Sequence, residues 1–146
     1  SIATYLRATA VETTTQSDNL MVVKGRQQFL AAGCAACHKE QFSVFQRGEE
    51  KVIYPYTDLL LHDMGEGLAD SLAQGAASGR EWRTAPLWAI ARQREPDNRH
   101  YLHDGRARTL LEAVLWHGGE AETAKQAVLG MTKTQRQQLL AFLQSI

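Results

Sequence analysis

The chain has 146 residues, and its sixteen basic and sixteen acidic side chains cancel. That length is one domain's worth, and the even balance argues against nucleic acid or an anionic membrane as a partner. No apolar run approaches the ~20 residues of a membrane span.

Ile2–Ala8 reads as the tail of a helix and Glu12–Ser17 as polar linker, so residues 1–17 are expected to be an arm, either frayed or left by an upstream domain. Residues 18–146 form the domain proper. Asp18 or Asn19 can cap a helix over Leu20–Ala32, with Val22, Phe29 and Leu30 near one face and Gly33 as its stop. Cys34-Ala35-Ala36-Cys37-His38 follows, a C-x-x-C-H run that is the attachment signal of c-type haem. Two thiols spaced in this way add to the two vinyl groups of one porphyrin, and the adjacent imidazole binds the iron from below. A redox dithiol would want a strand before it, and a structural zinc site a second Cys or His pair. The chain has only these two cysteines.

Lys39–Tyr56 reads as irregular, with a short extended piece at Lys51–Tyr54, and Asp58–His62 as a helical turn. Asp63–Gly67 is expected to be a loop, Leu68–Ala77 a helix, and Pro86–Arg92 a short helix with proline at an early position. Arg92–Asp104 is polar loop. Thr109-Leu110-Leu111-Glu112 and Thr132-Lys133-Thr134-Gln135 are capping boxes. The first opens a helix to about His117, stopped by Gly118-Gly119. The second opens a final helix whose Leu139, Phe142, Leu143 and Ile146 share a face. Ala121–Leu129 is a helix between them. With no sustained strand alternation, the expected class is all-α: a cytochrome c-like helical fold with long loops around one covalent haem c.

The second axial ligand decides the chemistry, because methionine raises the potential, histidine lowers it and an empty position admits small ligands. His62, His100, His103, His117, Met64 and Met131 are the candidates. His117 ends a capped helix, with Leu110 and Val114 on its face; the bland alternative is a C-terminal histidine serving the helix dipole. Met131 reads as a hydrophobic staple. Met64 lies in a glycine-flanked loop, a place where a soft ligand is offered.

Longer blocks add a resemblance. Tyr56–Asp70, Glu81–Trp88, Tyr101–Leu110 and Leu115-Trp116-His117-Gly118-Gly119-Glu120-Ala121 resemble the C-terminal half of the bacterial di-haem oxidoreductases, relatives of the di-haem cytochrome c peroxidases. In those relatives the distal ligand follows a His turn. Counted from His103, that position here falls on His117. The resemblance therefore implies a bis-histidine haem, His38 and His117, with Met64 as the alternative distal ligand. Arg83 and Arg106 are then candidates to pair with the haem propionates, against the plain alternative of surface arginines, and Trp82, Trp88 and Trp116 to pack on the porphyrin or relay electrons, against the plainer alternative of core and haem-pocket packing. His103-Asp104 and His62-Asp63 are read as turns that fix loops. The family carries two C-x-x-C-H motifs and this chain one. Its peroxidase relatives bind calcium at a stretch that here reads Asn98-Arg99-His100, so calcium is not carried over. The expected role is one-electron transfer with another haem domain or a small redox protein, in the periplasm. The competing role is a peroxidase-like oxidoreductase acting at an open distal site.

Overall fold

The computed structural model describes residues 2–8, 18–46, 48–90 and 100–146. The linker at Glu12–Ser17, the end of Pro86–Arg92 and most of Arg92–Asp104 lie outside them. Five helices are described: α1 (Ile2–Ala8), α2 (Leu20–Ala31), α3 (Leu110–Trp116), α4 (Glu122–Leu129) and α5 (Lys133–Leu143). None is long and apolar enough to cross a membrane.

α2 and α5 form the frame. Asn19 caps α2 by accepting the Met21 amide at 2.9 Å. Thr132 and Gln135 cap α5 reciprocally, as the second capping box predicts. The first box is displaced by one residue: Thr109 accepts the Glu112 amide, but the Glu112 carboxylate reaches Arg108 N rather than Thr109 N. The α2–α5 crossing buries Phe29 against Phe142, with ring centres 5.2 Å apart. Leu139, Leu143 and Ile146 complete this core from α5 and the end of the chain, and Val128 and Leu110 from α4 and α3. At Gly25 the helices nearly touch. A Cβ there would meet the Gln138 carbonyl oxygen at 2.0 Å and the Phe142 Cβ at 2.7 Å.

The expected all-α class is not what the chain adopts. It is a mixed α and β structure with two small antiparallel sheets beside the helices. β1 (Phe42–Gln46) pairs with β2 (Glu49–Ile53), from Phe42 opposite Ile53 to Gln46 opposite Glu49. Gly48, at φ +87, supplies the left-handed residue that this tight return needs. The segment read as irregular is thus a hairpin, made by pairing rather than by a buried face. β3 (Leu61–Asp63) pairs with β4 (Glu81–Arg83). The helical turn expected at Asp58–His62 does not form: Leu59 sits at φ +62, outside right-handed helical space, and the chain enters β3 at Leu61. Leu68–Ala77 forms no helix either, only a 3₁₀ turn over Glu66–Leu68 and a short bridge between Gln74 and Ala77. Within 86–90 there is no α-helix, and Ala89 sits at φ +60, outside helical space.

Gly25→Ala should lower stability by about 1–3 kcal/mol, since the new methyl meets backbone that cannot turn aside. Denaturant unfolding checks this, with Gly130→Ala as the control: a Cβ there finds nothing closer than 3.6 Å. An unchanged midpoint for Gly25→Ala would contradict the close crossing.

Candidate functional site

The C-x-x-C-H run begins where α2 stops. Gly33, at φ +84, turns the chain, and Cys34–Ala36 forms a 3₁₀ turn. The amides of Cys37 and His38 both return to the Cys34 carbonyl, which curls the motif back beneath α2. His38 then lies 6.4 Å from Phe29, ring centre to ring centre. Neither cysteine is in a disulfide, and both are half-buried. Burial pushes the Cys34 thiol up to about 11. Burial also raises Cys37, helped by the negative charges of Asp58 and Glu120.

His117 is the C-cap residue of α3 and comes to the same place from the other side. The two imidazoles face each other with centres 6.5 Å apart and planes at 47°. Their Nδ1 atoms are committed in the same way. His38 Nδ1–H donates to the Tyr56 carbonyl at 2.9 Å, and His117 Nδ1–H to the Ala113 carbonyl at 2.8 Å. A carbonyl only accepts, so each proton is on Nδ1 and each Nε2 keeps a lone pair. Among the described residues no hydrogen bond reaches either Nε2. Burial lowers both histidines, His38 to about 4, so both are neutral at physiological pH. Two neutral imidazoles with Nδ1 committed and Nε2 unengaged are a pair that could hold a metal, with the supporting bonds such ligands use. A ligating imidazole nitrogen sits about 2 Å from its metal, so two imidazoles on opposite sides of one metal hold their ring centres roughly 6 Å apart. The observed separation fits an iron between them.

The family model described as "Di-haem oxidoreductase, putative peroxidase" matches residues 1–146, the whole chain. The chain belongs to the di-haem oxidoreductase family. Membership implies haem binding and a haem-based redox role. No curated protein and no solved structure matches this family member.

The carbonyl that orients His38 comes from a strained residue. Tyr56 holds φ +54 without being glycine, a conformation that costs on the order of 1–3 kcal/mol. Its ring is locked edge-on between Phe29 and Phe142, at 6.2 and 5.8 Å. The next residue, Thr57, is fully buried and donates to the Thr84 carbonyl at 2.7 Å. Core packing on both sides thus aims the Tyr56 carbonyl.

The remaining sequence candidates are spread around this pair. Trp82 lies flat on His103, 3.5 Å between centres and 12° between planes, and its indole N–H donates to the Leu68 carbonyl. Arg106 pairs with Asp104, donates to the Gly67 carbonyl at 2.6 Å and covers the Trp116 ring at 4.7 Å. Arg83 is exposed and, among the described residues, makes a 3.4 Å bond to the Thr84 carbonyl and no ion pair. Trp88 is half-buried. Met64 lies with its carbonyl against Gly118, where a Cβ would approach to 2.9 Å. His100 Nδ1 is 3.3 Å from the Gly105 carbonyl.

One cluster escapes sequence reasoning. His62 bridges two carboxylates, Nε2 to Asp58 at 3.0 Å and Nδ1 to Glu120 at 2.8 Å. The Cys37, Asp58 and His62 donor atoms all lie within 4.8 Å of one another. The i, i+4 spacing of Asp58 and His62 hints at the first pair; nothing local signals Glu120. Two carboxylates can only accept, so His62 is held as the doubly protonated cation. The bonds to Glu120 and then Asp58 raise it above its ordinary value. Burial opposes ionisation of Asp58, but bonds from Leu60, His62 and Thr84 prevail and hold it down to about 2.

The His62 contribution to stability is therefore whole below pH 6.5, its unfolded value, and is lost as the pH rises through the raised folded value. Thermal unfolding of this family member should show Tm falling over that window, with the fall flattened in His62→Gln. An equal fall in the variant would assign the slope to another group.

Proposed function

We propose that this chain is a c-type cytochrome module that carries one haem and passes single electrons. Cys34 and Cys37 would hold the porphyrin through thioethers. In each addition the sulfur bonds to one vinyl carbon and the thiol proton goes to the other, with no net oxidation. His38 and His117 would hold its iron. Bound in this way, haem supplies reversible one-electron chemistry at its iron. The chain's own part would be to keep both imidazoles neutral, to orient each Nε2 through the Tyr56 and Ala113 carbonyls, and to pack His38 beside Phe29. The observation that carries this reading is the facing pair, His38 and His117, each with its Nδ1 committed and its Nε2 free. A bis-histidine iron has no open position, which favours electron transfer over peroxide chemistry.

Arg83 is the better placed of the two arginines for a haem propionate, since Arg106 is engaged by Asp104. The partner would be a second haem domain or a small redox protein, because the family name implies two haems and this chain has one C-x-x-C-H motif. The periplasm is the expected compartment, since bacterial haem attachment takes place outside the cytoplasmic membrane. The family description favours a second reading, a peroxidase-like oxidoreductase acting where the distal ligand is labile.

Haem-loaded protein should retain its haem under denaturing conditions, and Cys34→Ala with Cys37→Ala should abolish that retention. The ferrous protein should bind carbon monoxide slowly and turn over peroxide poorly. Rapid turnover by the unmodified protein would make the peroxidase reading the correct one.

A further inference from the structure

His117 stands at the end of a helix only seven residues long. A helix of that length has little stability of its own, and the two residues that follow are glycines without side chains to anchor them. Something else must hold the end of α3 in place.

The β3 segment does so. Gly118 and Gly119 lie directly on its backbone: a Cβ on Gly119 would meet the Asp63 carbonyl oxygen at 2.1 Å, and one on Gly118 the Met64 carbonyl oxygen at 2.9 Å. Contact of this kind sets a spacing but makes no bond. The bonds come from Glu120, in the 3₁₀ turn Gly119–Ala121. Its Oε1 accepts the Asp63 amide at 3.0 Å, and its Oε2 takes His62 Nδ1–H at 2.8 Å. Among the described residues no other hydrogen bond crosses from β3 to this turn. His62 is tied in turn to Asp58, whose side chain is 4 % exposed and fixed by the Leu60 amide. An unbroken line of bonds thus runs from a buried carboxylate to a point three residues beyond His117.

We propose that Glu120 is a positioning residue for His117: its carboxylate latches the turn after α3 to β3 and so keeps the distal imidazole on the iron. This role presupposes His117 as the distal ligand. With the latch in place the iron site is closed. Without it α3 keeps its fold but loses the restraint on its last residue, and the iron site opens to exogenous ligands.

The test uses haem-loaded protein. Supporting partners of metal ligands typically contribute 10–100-fold to ligation, so Glu120→Ala should give a high-spin ferric fraction and speed carbon monoxide binding to the ferrous protein by about 10-fold or more. Glu120→Gln should behave as the unmodified protein. Its amide oxygen still accepts from Asp63, and its NH2 can donate to His62 Nδ1 once the ring proton sits on Nε2 facing Asp58. Glu122→Ala is the control, since Glu122 bonds within its own helix to Lys125 and Gln126. His117→Ala, measured beside these, reports on the ligand itself; if it leaves the spectrum unchanged, the bis-histidine reading fails, and the proposed role with it. If His117→Ala alters the spectrum and Glu120→Ala does not, that reading stands and the latch is overturned. Equal changes in Glu120→Ala and Glu122→Ala would also overturn it, by showing general loosening. A loss confined to Glu120→Ala and restored in Glu120→Gln would sustain it.

Discussion

Two main-chain carbonyls, those of Tyr56 and Ala113, determine what the buried histidines can do. Each takes the Nδ1 proton of one imidazole and so leaves the Nε2 lone pair as the ring's remaining function. Burial suppresses the protonation that would consume that lone pair. Without those bonds the two rings would be free to rotate or to change tautomer, and a facing pair would carry no chemical meaning. With them, each ring keeps one nitrogen that could take a metal, which is what the proposed role needs.

The rest of the fold can be read as the support for those two bonds. The Ala113 carbonyl lies one turn before His117 in α3, within reach of its side chain. Tyr56 needs much more, because its left-handed backbone must be held against its own preference. The Phe29–Tyr56–Phe142 cluster supplies that hold, and it exists because α2 and α5 cross closely at Gly25. The helix crossing therefore contributes to the direction of His38. β3 and β4 have a comparable role on the other side, giving the turn beyond α3 a surface to rest on. Small sheets of this kind bury little, and their value lies in placement.

Local chemistry was legible in the sequence. The C-x-x-C-H run, the α2 cap at Asn19, the capping box at Thr132 and the glycine stop after His117 all act within a few residues, and all are present. The sheets were not legible. In β1 the alternation Phe42-Ser43-Val44 is broken by Phe45, β2 opens on Glu49-Glu50-Lys51, which reads as solvent-exposed loop, and β3 and β4 are three residues each, too short for a period to appear. The left-handed Tyr56 is not announced by a glycine or asparagine. The pairing of His62 with Glu120 spans 58 positions, and only the folded chain brings them together.

The central claim is that two histidines of this chain share one iron. Hyperfine spectroscopy of the ferric, haem-loaded protein, made with isotope-labelled imidazole nitrogen in its histidines, measures this directly. The account predicts two labelled nitrogens coupled to the iron, and one in His117→Ala. A single coupled histidine in the unmodified protein, with a sulfur or water ligand opposite, would contradict it.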